Sequence, residues 1–367
     1  MKPTVESPLP PAPPGDEPPV RRAPATLFYR RLVVTAMSLL VFVLVIHLLQ
    51  TFATILQQLL VAGLLGYLIV PAHQRLIRYG LSPLLSGVVL LAGFLAASYG
   101  LGLMLYDSFE DLSANLPHYR RNLRAMIHQA ADRVPGLDGA MLEQLIIGPR
   151  RTMEDNLATV RSALGSFVGF VSQTVVVLVY LVFLLVEQAG LPRRIEAAFA
   201  PEPAQRIMAV VHRVNRSIRD YLMVLTFVSV LAGVLTTAVL WLFGVDYAVL
   251  WGILTCLLNY IPYLGCWIAV ALPVLLSLVQ FESPGLTLAV LAVLVLLQNF
   301  IGLVIQPRMA GRRLDLSPFV IILALAFWGT IWGIVGMILA VPVTVIVKII
   351  LENVKETRPL ATLMSNR

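Results

Sequence analysis

The chain has 367 residues, 58% of them hydrophobic and only 13% charged, and its formal net charge is +7. Soluble domains carry about 25% charged residues, so the composition excludes a soluble globular protein and points to several membrane spans. Two cysteines, Cys256 and Cys266, lie in apolar runs without ligand spacing. They indicate neither a disulfide framework nor a metal site and read as small buried apolar residues.

Residues 1–24 pair their prolines (Pro10-Pro11, Pro13-Pro14, Pro18-Pro19). This predicts a disordered, partly polyproline-like tail, since the apolar run starts too late for a signal peptide. Residues 25–106 are expected to hold the first membrane helices. Residues 32–70 carry no formal charge if His47 is neutral, which is too long for one span of about 20 residues. Two spans are expected at 32–50 and 54–71, with Gln50 and Gln57-Gln58 marking the turn and His47 near the outer face. A third follows at 84–106.

Residues 107–166 hold seven Arg and eight acidic residues. Leu112, Leu116, Tyr119 and Leu123 recur at helical spacing, and Pro135-Gly136 and Gly148-Pro149 interrupt them. By span parity this is an extracytoplasmic helical insert, since long segments translocate regardless of charge. A fourth span at 167–187 leads into 190–219, with six Arg and apolar Ile207, Val210, Val214 and Ile218 at helical spacing. That pattern predicts an amphipathic helix on the cytoplasmic interface. Glu187 and Asp220 fall at span ends.

The segments after Gln50, Phe243 and Gln280 lack Lys and Arg; their charges are Asp246 and Glu282. Basic clusters lie elsewhere, at Arg30-Arg31, Arg75 and Arg78, Arg193–Arg219, Arg308–Arg313, and Lys348 and Lys355. Positive charge near span ends stays cytoplasmic, so both termini are expected inside. The regular alternation with apolar runs speaks against a nucleic-acid surface.

The stretch 221–351 is almost entirely apolar yet repeatedly broken. The breaks are Asn259-Tyr-Ile-Pro-Tyr-Leu-Gly265, Gln298-Asn299, Gln306-Pro-Arg-Met-Ala-Gly-Arg-Arg313 and Trp328-Gly-Thr-Ile-Trp-Gly333. In hydrocarbon a freed backbone group costs several kcal/mol unless protein or water satisfies it. Broken helices are therefore kept where backbone lines a cavity. A span at 221–243 and another at 284–305 are expected, with helical hairpins at 247–280 and 317–350. An apolar run ahead of Pro273-Val and of Pro342-Val weakly relates the two hairpins; chance likeness among apolar strings is the alternative. The fold class expected is all-α: a polytopic helical membrane protein of about eight transmembrane helices, counting broken or re-entrant hairpins. Residues 352–367 form a cytoplasmic tail.

Candidate solute contacts are Asn259, Tyr260, Pro262, Tyr263, Gly265, Gln298 and Asn299. Pro262 breaks the hydrogen-bond ladder and Gly265 allows positive φ, leaving amide and phenol groups beside exposed backbone. The alternative is a plain turn with interfacial tyrosines. Gln298 and Asn299 point about 100° apart, and interhelical hydrogen bonding is an equal explanation for them. Candidate hinge or gate residues are Gln306, Pro307, Arg308, Trp328, Gly329, Trp332, Gly333, Gly336 and Pro342. For Arg308 topology and headgroup contact is the stronger explanation, and for the glycines small-residue packing. Between Tyr221 and Leu351 the acidic residues are Asp246, Glu282 and Asp315, all in expected loops. Proton and sodium pumps hold carboxylates within the bilayer. No Ser/His/Asp constellation, HExxH or P-loop occurs in the apolar region, so no enzyme, metal or cofactor is expected.

The four C-terminal motifs, namely the 259–265 and 306–313 breaks, Leu316-Ser-Pro-Phe-Val320 and Trp332-Gly-Ile-Val-Gly-Met-Ile-Leu-Ala-Val-Pro342, resemble in order and spacing the AI-2E family of bacterial membrane transporters. Gly63-Leu-Leu-Gly-Tyr67 with Pro71 and Arg75 also fits. The resemblance covers 32–351. It implies an inner-membrane transporter with an extracytoplasmic insert, broken hairpins and homo-oligomers, as pentamers. It also implies export of the quorum-sensing signal autoinducer-2, or in some members sodium or lithium/proton antiport. Two departures are visible. Ile301-Gly302 stand where the family often has an acidic residue, and Asp246 where it often has Pro.

The expectation is a secondary transporter of a small, polar, mostly neutral solute. Its site is expected between the tips of the two hairpins, near Asn259, Tyr263 and Gln298. A cation/proton antiporter and a non-transporting scaffold that binds partners through the insert and tail are the rivals.

Overall fold

The computed structural model describes residues 24–133, 153–310 and 316–365. The Pro-rich tail, the breaks at Pro135-Gly136 and Gly148-Pro149, and Arg312, Arg313 and Asp315 lie outside them. Every regular element described is helical. Seven helices are long and apolar enough to cross a bilayer among the described residues, and one bent helix makes an eighth. The chain is thus a polytopic all-α membrane protein.

Helix α1, Pro24–Thr51, belongs to a compact unit of its own, and the second unit runs from Phe52 onward. Between Leu32 and Leu48 most side chains of α1 are large and apolar, Leu39, Phe42 and Leu44 among them, as a membrane-spanning helix requires.

In the second unit, α2 (Ala53–Arg78) packs on α4 (Met153–Ala198) through Ala62, Val177, Leu178 and Leu181. Gly66 leaves room for the Leu181 side chain, whose Cδ1 would lie 3.4 Å from a Cβ there. Helix α4 bends by 53° between Gln188 and Gly190. Pro192 explains the bend, because its ring meets the carbonyl four residues back.

Helix α3, Pro83–Arg133, continues without a break from the expected third span at 84–106 into the charged stretch that begins at 107. Likewise α5 runs unbroken over Pro201–Leu242. The expected interfacial helix at 190–219 and the span after it are largely one rod. At 1.5 Å per residue each of these helices is about twice the hydrocarbon thickness. Pro201 opens α5 at its first position, where a missing N–H does no harm.

Helix α6, Ala248–Leu258, has 11 residues and spans only about half a bilayer. It crosses α5 at two glycines. A Cβ on Gly233 would lie 2.6 Å from the Gly252 carbonyl, and one on Gly252 would lie 2.7 Å from the Gly233 carbonyl. Helix α7, Leu264–Phe281, returns from the tip. Helix α8, Pro284–Phe300, continues through a π-helical turn, Ile301–Ile305, into α9, Gln306–Ala310. Helix α10, Pro318–Asn353, is two helices joined across a kink at Gly333. A short α11, Arg358–Leu363, closes the described chain.

Polar contacts gather at two ends. At one, Tyr119 donates to Asp246 at 2.7 Å and Asn122 to the Val279 carbonyl at 3.1 Å. At the other, Tyr67 donates to Asn215 at 2.6 Å and the Arg213 guanidinium lies 3.7 Å from Glu352. Segments that the charge pattern assigns to one side of a membrane thus meet at one end of the unit.

Candidate functional site

The turn between α6 and α7 is built by residues that cannot stay helical. The Ile261 N–H still reaches the Leu258 carbonyl at 2.8 Å. Pro262 then offers no N–H, and Tyr263 takes φ 63°, ψ −52°. The Leu264 N–H donates to the Pro262 carbonyl at 2.7 Å. That is a γ-turn of the rare positive-φ form. For a bulky residue such a conformation costs on the order of 1–3 kcal/mol and persists only where surrounding structure imposes it. Gly265 supplies part of that structure. A Cβ there would stand 1.8 Å from the Leu258 carbonyl oxygen, so only glycine lets the returning helix start so close to the outgoing one.

Side chains tie the tip to α5. Asn259 donates through Nδ2 to Ser229 at 3.0 Å, and the Tyr260 and Thr226 hydroxyls lie 2.8 Å apart. Thr226 and Ser229 are three residues apart and therefore on one face of α5.

The kink in α10 uses the same chemistry. Gly333 has φ 64°, ψ −143°, a region open essentially to glycine. A Cβ on Gly336 would lie 2.0 Å from the Trp328 carbonyl, the counterpart of Gly265 over Leu258. The Trp328 and Trp332 rings sit 4.8 Å apart beside the break.

The third irregularity follows from Pro307. With no N–H at 307, the preceding turn widens, and the Gln306 N–H donates five residues back to the Ile301 carbonyl. The carbonyl that residue 307 would have paired in a regular ladder, one turn earlier, receives nothing from it. Single π turns of this kind recur at functional sites.

The first tip and the π turn face a common cavity of about 480 Å³, within the range of small-molecule sites. Asn259, Pro262, Tyr263, Gln298, Asn299, Gln306 and Pro307 line it. The other expected residues do not: Tyr260 turns to Thr226, Gly265 packs on backbone, and Trp328, Gly329, Trp332 and Gly333 stay at the α10 kink. Arg308 is exposed on α9 beyond the lining, and Gly336 and Pro342 are buried in α10. Helix α10 therefore meets the cavity along its sides, through Ile321 and Val341, and not at its break. The expected position between two hairpin tips becomes a position between one tip, the π turn and the flanks of α5 and α10.

Sequence reasoning missed Tyr221, Cys266, Trp267 and Gly302 in the lining. Gly302 carried a readable signal, because a proline at 307 disturbs the turn before it. Tyr221 and Trp267 carried none, since the direction of a side chain on a wholly apolar helix depends on tertiary packing.

No Asp, Glu, Lys, Arg or His is among the lining residues described. Nor do any three His, Cys, Asp or Glu side chains gather to hold a metal ion among the described residues. Asn259 commits its amide nitrogen to Ser229, and Asn299 commits its own to the Val295 carbonyl at 2.8 Å, so each keeps a free side-chain carbonyl. The Gln298 and Gln306 amides have no protein partner among the described residues. The cavity therefore offers uncharged donors and acceptors together.

A family model described as AI-2E family transporter matches residues 32–356. The AI-2 transport protein TqsA of Escherichia coli K12 is 30% identical over 319 residues, covering 86% of this chain and 90% of its own. YhhT of the same organism is 30% identical over 313 residues, covering 85% and 88%. A protein of Borreliella burgdorferi, whose name assigns transport and no substrate, is 31% identical over 307 residues and 82% of each chain.

Proposed function

Because the chain belongs to the AI-2E transporter family, we propose that it is a secondary transporter for a small neutral polar solute, bound in the cavity beside Tyr263. The observation that carries this reading is the pair of unpartnered amides, Gln298 and Gln306, on a cavity without charged lining residues among those described. Gln298 is half-buried and Gln306 exposed at the mouth of the cavity, so both amides are placed to exchange water for the hydroxyl or carbonyl groups of a solute. Export of an autoinducer-2-like signal is the specific candidate, drawn from the name of TqsA. Both termini face the cytoplasm in this reading, as the basic clusters require, and the chain works as a homo-oligomer.

Transport proceeds by movement of the broken-hairpin unit, α6 to α10, against α2–α4. Antiport of sodium or lithium against protons is the weaker reading, because desolvating a small cation calls for a carboxylate and none lines the cavity among the described residues.

The test is solute efflux from proteoliposomes and export from a deletion strain against a panel of neutral metabolites. Gln298→Leu and Asn259→Leu should each lower flux about tenfold, the loss of one or two buried hydrogen bonds. Parental flux in folded variants would remove this cavity as the site.

A further inference from the structure

The cavity is not uniform from mouth to base. Tyr263, Trp267, Asn299 and Gln306 are exposed at its rim. Leu225, Val270, Ile301 and Val341 line it while keeping 5% or less of their surface exposed. These four come from α5, α7, the π turn and α10, so the base is built by separate elements that converge on it. Outside the tip and the 298–307 segment, the heteroatoms among the described lining residues come from Tyr221, the half-buried Cys266 and the exposed Trp267 at the rim.

A strongly hydroxylated solute filling this space would press hydroxyl groups against aliphatic side chains and leave them without partners. That arrangement is unfavourable. Water in the base fares little better, because an ordered water needs two to four polar partners. The volume of about 480 Å³ corresponds to roughly fifteen waters at about 30 Å³ each, more than the rim amides alone can engage.

We infer that the solute is a neutral amphiphile, with an alkyl or aryl body seated on Leu225, Val270, Ile301 and Val341 and a hydroxyl- or carbonyl-bearing end held at the rim by Gln298, Gln306 and the Asn259 carbonyl. This rests on the cavity being the solute site, and it narrows the solute away from the compact polar autoinducer-2-like candidate: a polar head without an apolar body binds weakly. Selection then has two independent parts. The rim amides read hydrogen-bonding groups, and the base reads the length of the apolar body. Each methylene buried on the base tightens binding about fourfold until the space is filled.

The experiment uses Cys266 as a reporter, since its thiol is part of the lining. The full chain carrying Cys256→Ser is reconstituted in proteoliposomes and labelled with N-ethylmaleimide. The probes are 1,2-alkanediols from 1,2-propanediol to 1,2-octanediol, which share one polar head and differ only in alkyl length. The half-protecting concentration should fall about fourfold per methylene and then level off. Val341→Thr and Val270→Thr, near-isosteric but polar, should flatten that dependence. Gln298→Leu should weaken all diols alike and leave the dependence on length intact.

Protection by every diol at one concentration, whatever its length, would overturn the amphiphile reading and leave the site reading standing. An unchanged length dependence in both threonine variants would overturn it too, since the trend would then come from the lipid. Labelling that no diol slows would sink the site and the amphiphile together.

Discussion

The side-chain amide of Gln57 on α2 donates to the Trp332 carbonyl at 3.3 Å, at the point where Gly333 takes the α10 backbone out of its helix. A carbonyl freed by a kink inside a membrane protein needs a donor, and a residue 275 positions away provides it. The first break is pinned from elsewhere, by Thr226 and Ser229 of α5.

Replacing Gln57 by Leu leaves the Trp332 carbonyl without that donor. The expected loss is about 1–3 kcal/mol of stability, read as a lowered melting temperature of the purified protein. Gln57→Glu, when ionised, only accepts hydrogen bonds and should melt below the parent as well. A parental melting temperature for Gln57→Leu would mean that water already serves that carbonyl.

Tyr263 separates strain from side-chain chemistry. Both Tyr263→Gly and Tyr263→Ala remove the ring from the cavity, but only glycine adopts φ 63° freely. The glycine variant should be about 1 kcal/mol more stable than the alanine variant, while both lose flux. Equal melting temperatures would show that the γ-turn carries no strain.

Three glycines form a graded test of the tips. Alanine at 265 or 336 brings a Cβ within about 2 Å of a backbone carbonyl, which backbone must move to relieve. Both variants should lose on the order of 1–3 kcal/mol and most of their flux. Gly285→Ala meets nothing within 4 Å and should gain a few tenths of a kcal/mol from helix propensity. Tolerance of alanine at 265 would disprove the close approach at the first tip.

Efflux through an uncharged cavity does not depend on the alkali cation present. Replacing sodium and lithium by choline on both sides of the vesicle should leave the initial rate within about twofold, well below the tenfold expected from losing a buried interaction. A collapse of the rate in choline would favour the antiport reading.

The breaks at 259–265, 306–307 and 328–333 were legible because Pro and Gly write backbone irregularity directly into the sequence. The span count was legible from the lengths of the apolar runs. The continuity of α5 through Arg219 and Tyr221 was not, because a charge-to-apolar boundary marks a change of solvent and not a change of backbone. The same ambiguity hid the extension of α3 from the third span into the insert. Within the site, Asn259, Tyr263 and Gln298 stood out as polar groups in an apolar field. Leu225, Val270 and Val341 did not, since every helix nearby presents the same residue types, and only packing decides which of them face inward. The positive φ of Tyr263 was equally hidden: Pro262 announces a turn, but its handedness follows from how closely Gly265 approaches Leu258.

Outside the apolar core, the far half of α3 grips both feet of the α6–α7 hairpin. Asn115 donates to the Tyr247 hydroxyl at 2.8 Å, Tyr119 to Asp246 at 2.7 Å, and Asn122 to the Val279 carbonyl at 3.1 Å. Gln280 closes the clamp by donating to the Gly244 carbonyl at 2.8 Å. If the hairpin moves as proposed, it would drag this long rod with it or rupture its latches one by one, and the far end of α3 would then tilt with the state of the hairpin.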